Sequence, residues 1–211
     1  FRRKPQRPEV NRESIRATQL DQYWHGDVTE VRTADGIKHY LYLVTDNFSR
    51  KILAWALSTQ LRASIRVQTL KDAFQASPKA LETTLVVDGG TENHNQTVSE
   101  FLNSPKVSIK MITAQVDVSF SNSIVEAINK ILKSRYIRLK APPDSAALQK
   151  VLDWAIHDYN SIRPHTSLKG LAPSEAYCGI GVETLRIAEK VKAARVARIQ
   201  RNKQHFCKAN C

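Results

Sequence analysis

Residues 85–93 read LVVDGGTEN. A short apolar run of strand character stops at an acid, turns on two glycines and meets a second acid. Burying a carboxylate without a partner is costly, so Asp88 at the end of a buried strand implies that something there receives it. In sheets covered by helices, ligands collect at the carboxyl ends of strands, and Gly89-Gly90 permits a tight turn and a close backbone approach. The stretch predicts a strand of an α/β sheet with a functional end.

Upstream, QYWHGDVTEV (22–31), KHYLYLVTDN (38–47) and SRKILAWAL (49–57) read as strands, the last two close enough in sequence to pair antiparallel. An amphipathic helix is expected over 60–76, ahead of Pro78. Downstream, the pattern predicts a helix near 95–103, a strand VSIKMIT (107–113) and a helix over 121–140 closed by Pro142-Pro143. A further helix starts on a cap at Asp144 or Ser145 and sets Leu148, Val151, Leu152, Ala155, Ile156 and Tyr159 on one stripe. A basic helix is expected over 181–203, where seven Lys and Arg face only Glu183 and Glu189. This order predicts a mixed α/β domain, a central sheet with helices on both faces and basic terminal extensions. The expected divisions are a basic arm or linker at 1–20, a core at 21–178 and a basic helix and tail at 179–211.

The chain has 211 residues, and 32 Lys and Arg against 20 Asp and Glu give a formal charge of +12. That balance favours a polyanionic partner, nucleic acid before membrane. No run is apolar enough to span a bilayer, and FRRKPQRPEV lacks the apolar core of a signal peptide. The start at Phe1 reads as that of a fragment or processed product. Three cysteines, all from Cys178 onward, do not make a disulfide framework. His205, Cys207 and Cys211 are candidate zinc ligands, but a structural zinc site wants four.

Three acids stand out. Asp27 lies inside a strand, where Asp is disfavoured, and Asp88 ends another. The third is Glu126. With Glu126 at 0° on a helix, Asn122 falls at about −40°, Lys130 at about +40° and Lys133 at about −20°, while Ile124, Ile128, Ile131 and Leu132 fall on the far side. One face thus presents an amide, a carboxylate and two ammonium groups, which suits a place where metal and phosphate meet. Converging oxygen ligands suit Mg²⁺, and two such ions can serve phosphoryl transfer. The alternative for each acid singly is ordinary turn chemistry or a solvated helix face.

These motifs together resemble the catalytic core shared by insertion-sequence transposases and retroviral integrases, the Asp-Asp-Glu polynucleotidyl transferases. The resemblance runs from Tyr23 to Tyr177 through WHGDVTEV, YLYLVTDNFSRKILAWAL, VVDGGTEN, SNSIVEAINKILK and YNSIRPHTSLKGLAPSEAY, in order. It implies an RNase H-like fold, DNA breaking and joining with Mg²⁺ or Mn²⁺ (two ions), action as a homo-oligomer on element ends and target DNA, and a bacterial cytoplasmic, nucleoid-associated setting. Asp27, Asp88 and Glu126 match the catalytic metal-binding positions, and Lys130 and Lys133 match lysines that contact the element end. Asn122, Arg163 and His165 are further candidate DNA contacts. The 37 residues between Asp88 and Glu126 slightly exceed the usual spacing, and Ser121 replaces a usual Gly. A separate end-recognition domain is expected before Phe1.

Asp46 is expected to organise a turn, and Glu92 to be solvated or DNA-facing. Tyr159 with Arg163 and His165 has the residue types of a tyrosine recombinase, but Tyr159 completes an apolar stripe, so packing is its expected role. Competing readings of the whole are a transposase-derived, non-catalytic DNA-binding protein and an RNase H-like nuclease without strand transfer.

Overall fold

The computed structural model describes residues 15–77, 82–105, 107–114, 123–180 and 184–208. Among them, β1 (Tyr23–Arg32), β2 (Lys38–Asp46), β3 (Ile52–Ser58), β4 (Thr83–Val87) and β5 (Ile109–Thr113) form one sheet. The spatial order is β3-β2-β1-β4-β5. The first three strands are antiparallel neighbours, whereas β4 runs parallel to both β1 and β5. The helices are α1 (Ala63–Ala76), α2 (Gln96–Leu102), α3 (Ser123–Leu132), α4 (Arg138–Lys140), α5 (Ser145–His157), α6 (Pro173–Tyr177) and α7 (Thr184–Lys208). The element order and types follow the sequence pattern, with boundaries shifted by a few residues.

Side chains alternate across a strand, and β1 uses this to serve two layers. Trp24 points into a core with Leu70 and Ala73 of α1 and Leu85 and Val87 of β4. Val31 points the other way, into a core with Leu41, Leu43 and the buried faces of α3 and α5. The whole of β2 from Leu41 to Asp46 is buried, as expected of a strand covered on both sides. Helices therefore lie on both faces, as the sequence predicted. Asp27, an even number of residues from Val31, shares its face with α3.

The two long helices differ from expectation in one respect. The first is interrupted by a wide π turn at Lys133–Ile137, and the second ends in one at Asp158–Ile162. These turns meet, because the Tyr136 hydroxyl donates to Asp158 Oδ2 at 2.6 Å. An extra residue in a turn shifts which side chains face inward, and a 3.6-residue pattern does not reveal it. The cap at Asp144 is present, accepting from Ala147 N at 2.8 Å. Di-proline 142–143 also holds the tip of the β1–β2 hairpin through Ala34 N to Pro142 O (2.9 Å) and Asp35 N to Pro143 O (3.1 Å).

The second π turn has a definite job. Asn160, buried at its centre, donates from Nδ2 to Ile52 O and accepts at Oδ1 from Ile52 N, each at 2.9 Å. Its amide acts as the missing neighbour of the edge strand β3, whose backbone groups would otherwise be buried unpaired. Asn160→Ala should destabilise the chain by about 2–3 kcal/mol, because it strands a buried N–H and C=O together. A urea denaturation midpoint equal to that of the parent chain would contradict this role.

Candidate active site

Tyr23, Trp24 and His25 pair in parallel with Thr84, Leu85 and Val86. Continued by two residues, the same register sets Asp27 beside Asp88, on strands about 4.8 Å apart. Asp27 is only partly exposed and Asp88 is exposed at the end of β4. Two acids distant in sequence thus become neighbours at the middle of the sheet. Asp88 is held by its own turn: Asn93 Nδ2 donates to its Oδ1 at 2.8 Å, with a weaker bond from Gly90 N at 3.3 Å.

Glu126 lies in the first turn of α3 and is exposed. The helix buries Val125, Ile128, Asn129 and Leu132, while Ile124 and Ile131 are only partly covered. The buried face is therefore rotated from the one predicted, towards Glu126 on the Asn129 side. The reason is chemical: Asn129 Nδ2 donates to Asp27 Oδ2, binding the third acid's helix to the first acid's strand. Lys130 is exposed and Lys133 half-buried, with burial lowering the Lys133 pKa against the opposing pull of Asp27 and Glu30. Residues 115–122, Asn122 among them, lie outside the described residues, as do the side chains of His205 and Cys207 and all of Cys211.

The electrostatics mark Asp27. Its carboxyl is raised to about 6, first by burial, then by the charge of Asp88, with a smaller push from Glu126. Arg66 and a backbone bond from Val28 pull the other way. Asp88 and Glu126 are thus both near enough to act on Asp27, yet among the described residues no three His, Cys, Asp or Glu form a ready cage for an ion. Unscreened carboxylates repel, and the acids stand together only as far as Asn129 and Asn93 restrain two of them. A crowded, all-oxygen donor set with an elevated carboxyl pKa fits a hard divalent cation, whose charge would relieve that strain.

The other candidates sit elsewhere. Asp46 is buried at the β2–β3 turn, accepting from Ser49 N (2.7 Å), Ser49 Oγ (2.6 Å) and Asp21 N (3.0 Å), the turn role expected of it. Glu92 folds over its own turn, where a Cβ on Gly90 would collide with its carboxylate. Tyr159 is buried, its hydroxyl donating to Arg50 O at 3.2 Å, so packing is its place. The His165 ring stands edge-on to Tyr159 at 4.6 Å, and Arg163 lies beside the Tyr136 hydroxyl. Both therefore flank the Arg50 turn beside the start of β1, whereas Asp88 follows the other end of β4. Sequence reasoning missed Asn129, Asn93 and Arg66. Arg66 carried a legible signal, since it falls on the same stripe as the buried Leu70 and Ala73 of α1.

A domain with helices on both faces of this sheet, and two acids joined at its centre, is an RNase H-like domain with an acidic site. Two models of the integrase core domain match the chain, over residues 17–115 and 106–173, and the chain belongs to that family. It is 29% identical over 163 residues to an uncharacterized protein of insertion element IS136 from Agrobacterium fabrum, covering 72% of this chain and 80% of that one. It is 25% identical over 176 residues to the transposase for insertion sequence element IS904 from Lactococcus lactis, covering 80% of this chain and 66% of the relative. Among solved structures, the HTLV-2 integrase catalytic core domain in complex with magnesium, in a trimeric form, matches with a TM-score of 0.59 and 21% identity, over 77% of this chain and 99% of that one. No helix among the described residues is long and apolar enough to cross a membrane.

Two pH effects follow, with opposite signs. Asp27 has a folded pKa (about 6) above its ordinary 3.8, so folding binds extra protons between those values and its ionisation burdens the fold above pH 6. Asp27→Asn should raise stability by about 2 kcal/mol at pH 8 and lose that advantage by pH 4; urea melts at both pH values check this. His165 is lowered to about 4, chiefly by burial and then by Arg163. Its contribution is whole above pH 6.5 and is lost as pH falls towards 4. An NMR titration should find the ring neutral at pH 5.5, whereas a midpoint near 6.5 would mean that it is solvated.

Proposed function

We propose that the chain is the catalytic region of a transposase or integrase of the Asp-Asp-Glu kind, cutting the 3′ ends of a mobile element and joining them to target DNA. The observation that carries this reading is the neighbouring placement of Asp27 and Asp88, with Glu126 acting on the same carboxyl group. In this reading Asp27, Asp88 and Glu126 hold Mg²⁺ or Mn²⁺. Two bound ions would supply activation of the attacking oxygen and stabilisation of the leaving one.

The chain's own residues do the rest. Asp27 is kept in place by Asn129 and Asp88 by Asn93, so two of the three ligands enter the reaction already oriented. Glu126 sits on a solvent-facing turn and would complete the set. Lys130 and Lys133, one and two turns further along the same helix, lie where a DNA phosphate beside the acids would fall. Asn122 belongs to that face by spacing. Arg163 and His165 brace the end of the π turn, and Arg163 remains available to a more distant phosphate. The +12 charge supports a DNA partner, and assembly of several copies on DNA accords with the trimeric form of the HTLV-2 core. No covalent protein–DNA intermediate is needed, and a buried Tyr159 offers none.

Glu126→Gln should abolish both cleavage and strand transfer on element-end DNA while leaving DNA affinity within about twofold, because Glu126 is exposed and carries no fold contact. Nicking and joining assays with Mg²⁺ or Mn²⁺ read this directly. Normal turnover by the variant would remove Glu126 from the site. Cutting by the parent chain without a joined product would make it a nuclease instead.

A further inference from the structure

Arg66 is fully buried, on the stripe of α1 that packs under the sheet through Val67, Leu70 and Ala73. A buried guanidinium costs several kcal/mol in desolvation, and an apolar side chain of like size is often the more stable choice. Packing therefore does not explain this residue. Its contacts do. Nε donates to Asn93 Oδ1 at 2.7 Å, Nη1 reaches Leu43 O at 3.4 Å, and Nη2 has no hydrogen-bond partner among the described residues. Asn93, itself buried, is the residue whose Nδ2 donates to Asp88 Oδ1.

A side-chain amide has one accepting and one donating end, and by itself it can turn either way. Arg66 can only donate. It therefore fixes Asn93 Oδ1 towards α1 and sends Nδ2 towards Asp88. Both described hydrogen bonds to the Asp88 carboxylate then fall on Oδ1, and Oδ2 is left for a ligand. Room for the guanidinium comes from Gly26, the residue before Asp27: a Cβ there would lie 3.1 and 3.3 Å from Nη1 and Nη2, and 3.2 Å from Val87 Cγ1. The strand that carries the first acid is thus shaped to admit the arginine that sets the second.

We infer that Arg66 is a positioning residue for the candidate metal site, acting through Asn93 to aim the Asp88 carboxylate from the opposite side of the sheet. The inference deepens the proposed function and rests on it. Arg66 touches neither DNA nor a reacting atom in this account.

The test is calorimetric titration of the full chain with Mn²⁺ alone, for the parent, Asp27→Asn, Arg66→Lys, Asn93→Ala and the Arg66→Lys/Asn93→Ala double variant, each with its thermal midpoint. Lysine keeps the charge but not the fork that reaches Asn93 and Leu43 together. Arg66→Lys and Asn93→Ala should each weaken Mn²⁺ binding about tenfold, and the double variant should bind no more weakly than the worse single one. Affinity within twofold of the parent in a folded Arg66→Lys chain, or multiplied losses in the double variant, overturns the inference. Should Arg66→Lys not fold, Gly26→Ala, which displaces the guanidinium without removing it, takes its place with the same expected loss, and unchanged affinity there also overturns it. A parent chain that binds no Mn²⁺, or an Asp27→Asn chain that binds it equally well, defeats the metal-site reading itself.

Discussion

Two like charges held side by side at the middle of a sheet are the constraint around which this domain is organised. The parallel β1–β4 register makes Asp27 and Asp88 neighbours, and burial with mutual repulsion holds the Asp27 proton well above the ordinary range. A fold selected for stability alone would not place carboxylates there. The surrounding structure compensates with amides and a guanidinium: Asn129 from α3, Asn93 from the turn after β4, and Arg66 from α1. Each comes from a different element, so the site ties both helical layers to the sheet.

That arrangement divides labour between rigid and adjustable parts. Asp27 and Asp88 sit on or beside central strands whose cores fill both faces, and neither can move far without disturbing Trp24 or Leu85. Glu126 is on the outer face of α3, without a hydrogen bond among the described residues to fix its carboxylate. The HTLV-2 integrase catalytic core domain shares this fold with the chain, and β2 and β4, which flank β1, are the most buried strands of the sheet.

The far end of the sheet is organised by a different chemistry. There Asp46, Asn160 and Tyr159 are all buried, and each serves backbone groups of the β2–β3 turn or the edge strand. Tyr159 and Asn160, which open the segment YNSIRPH, thereby clamp the β2–β3 turn and β3. The segment's residue types resemble recombinase chemistry only when the contacts are ignored. One pole of the sheet is mostly hydrogen-bonded polar structure, with Arg50 Nη1 and His165 Nε2 buried there without a partner among the described residues, and the other is an incompletely neutralised acidic cluster.

The sequence by itself determined the element order and the two-sided sheet, and singled out Asp27, Asp88 and Glu126 as candidates, because strand alternation, helix spacing and turn residues are local properties of the chain. It also named Asp46 as a turn acid and Tyr159 as packing, since each lay within a recognisable local pattern. Only the tertiary structure decided which polar residues support the acids. Asn129, Asn93 and Arg66 act across contacts of 102, 5 and 27 positions, and even the short one depends on a buried guanidinium from another element. It also decided the rotation of α3 and the two π turns, which arise where helices meet. Periodicity reports what a segment would bury alone; the partner across the interface sets what it buries in the fold.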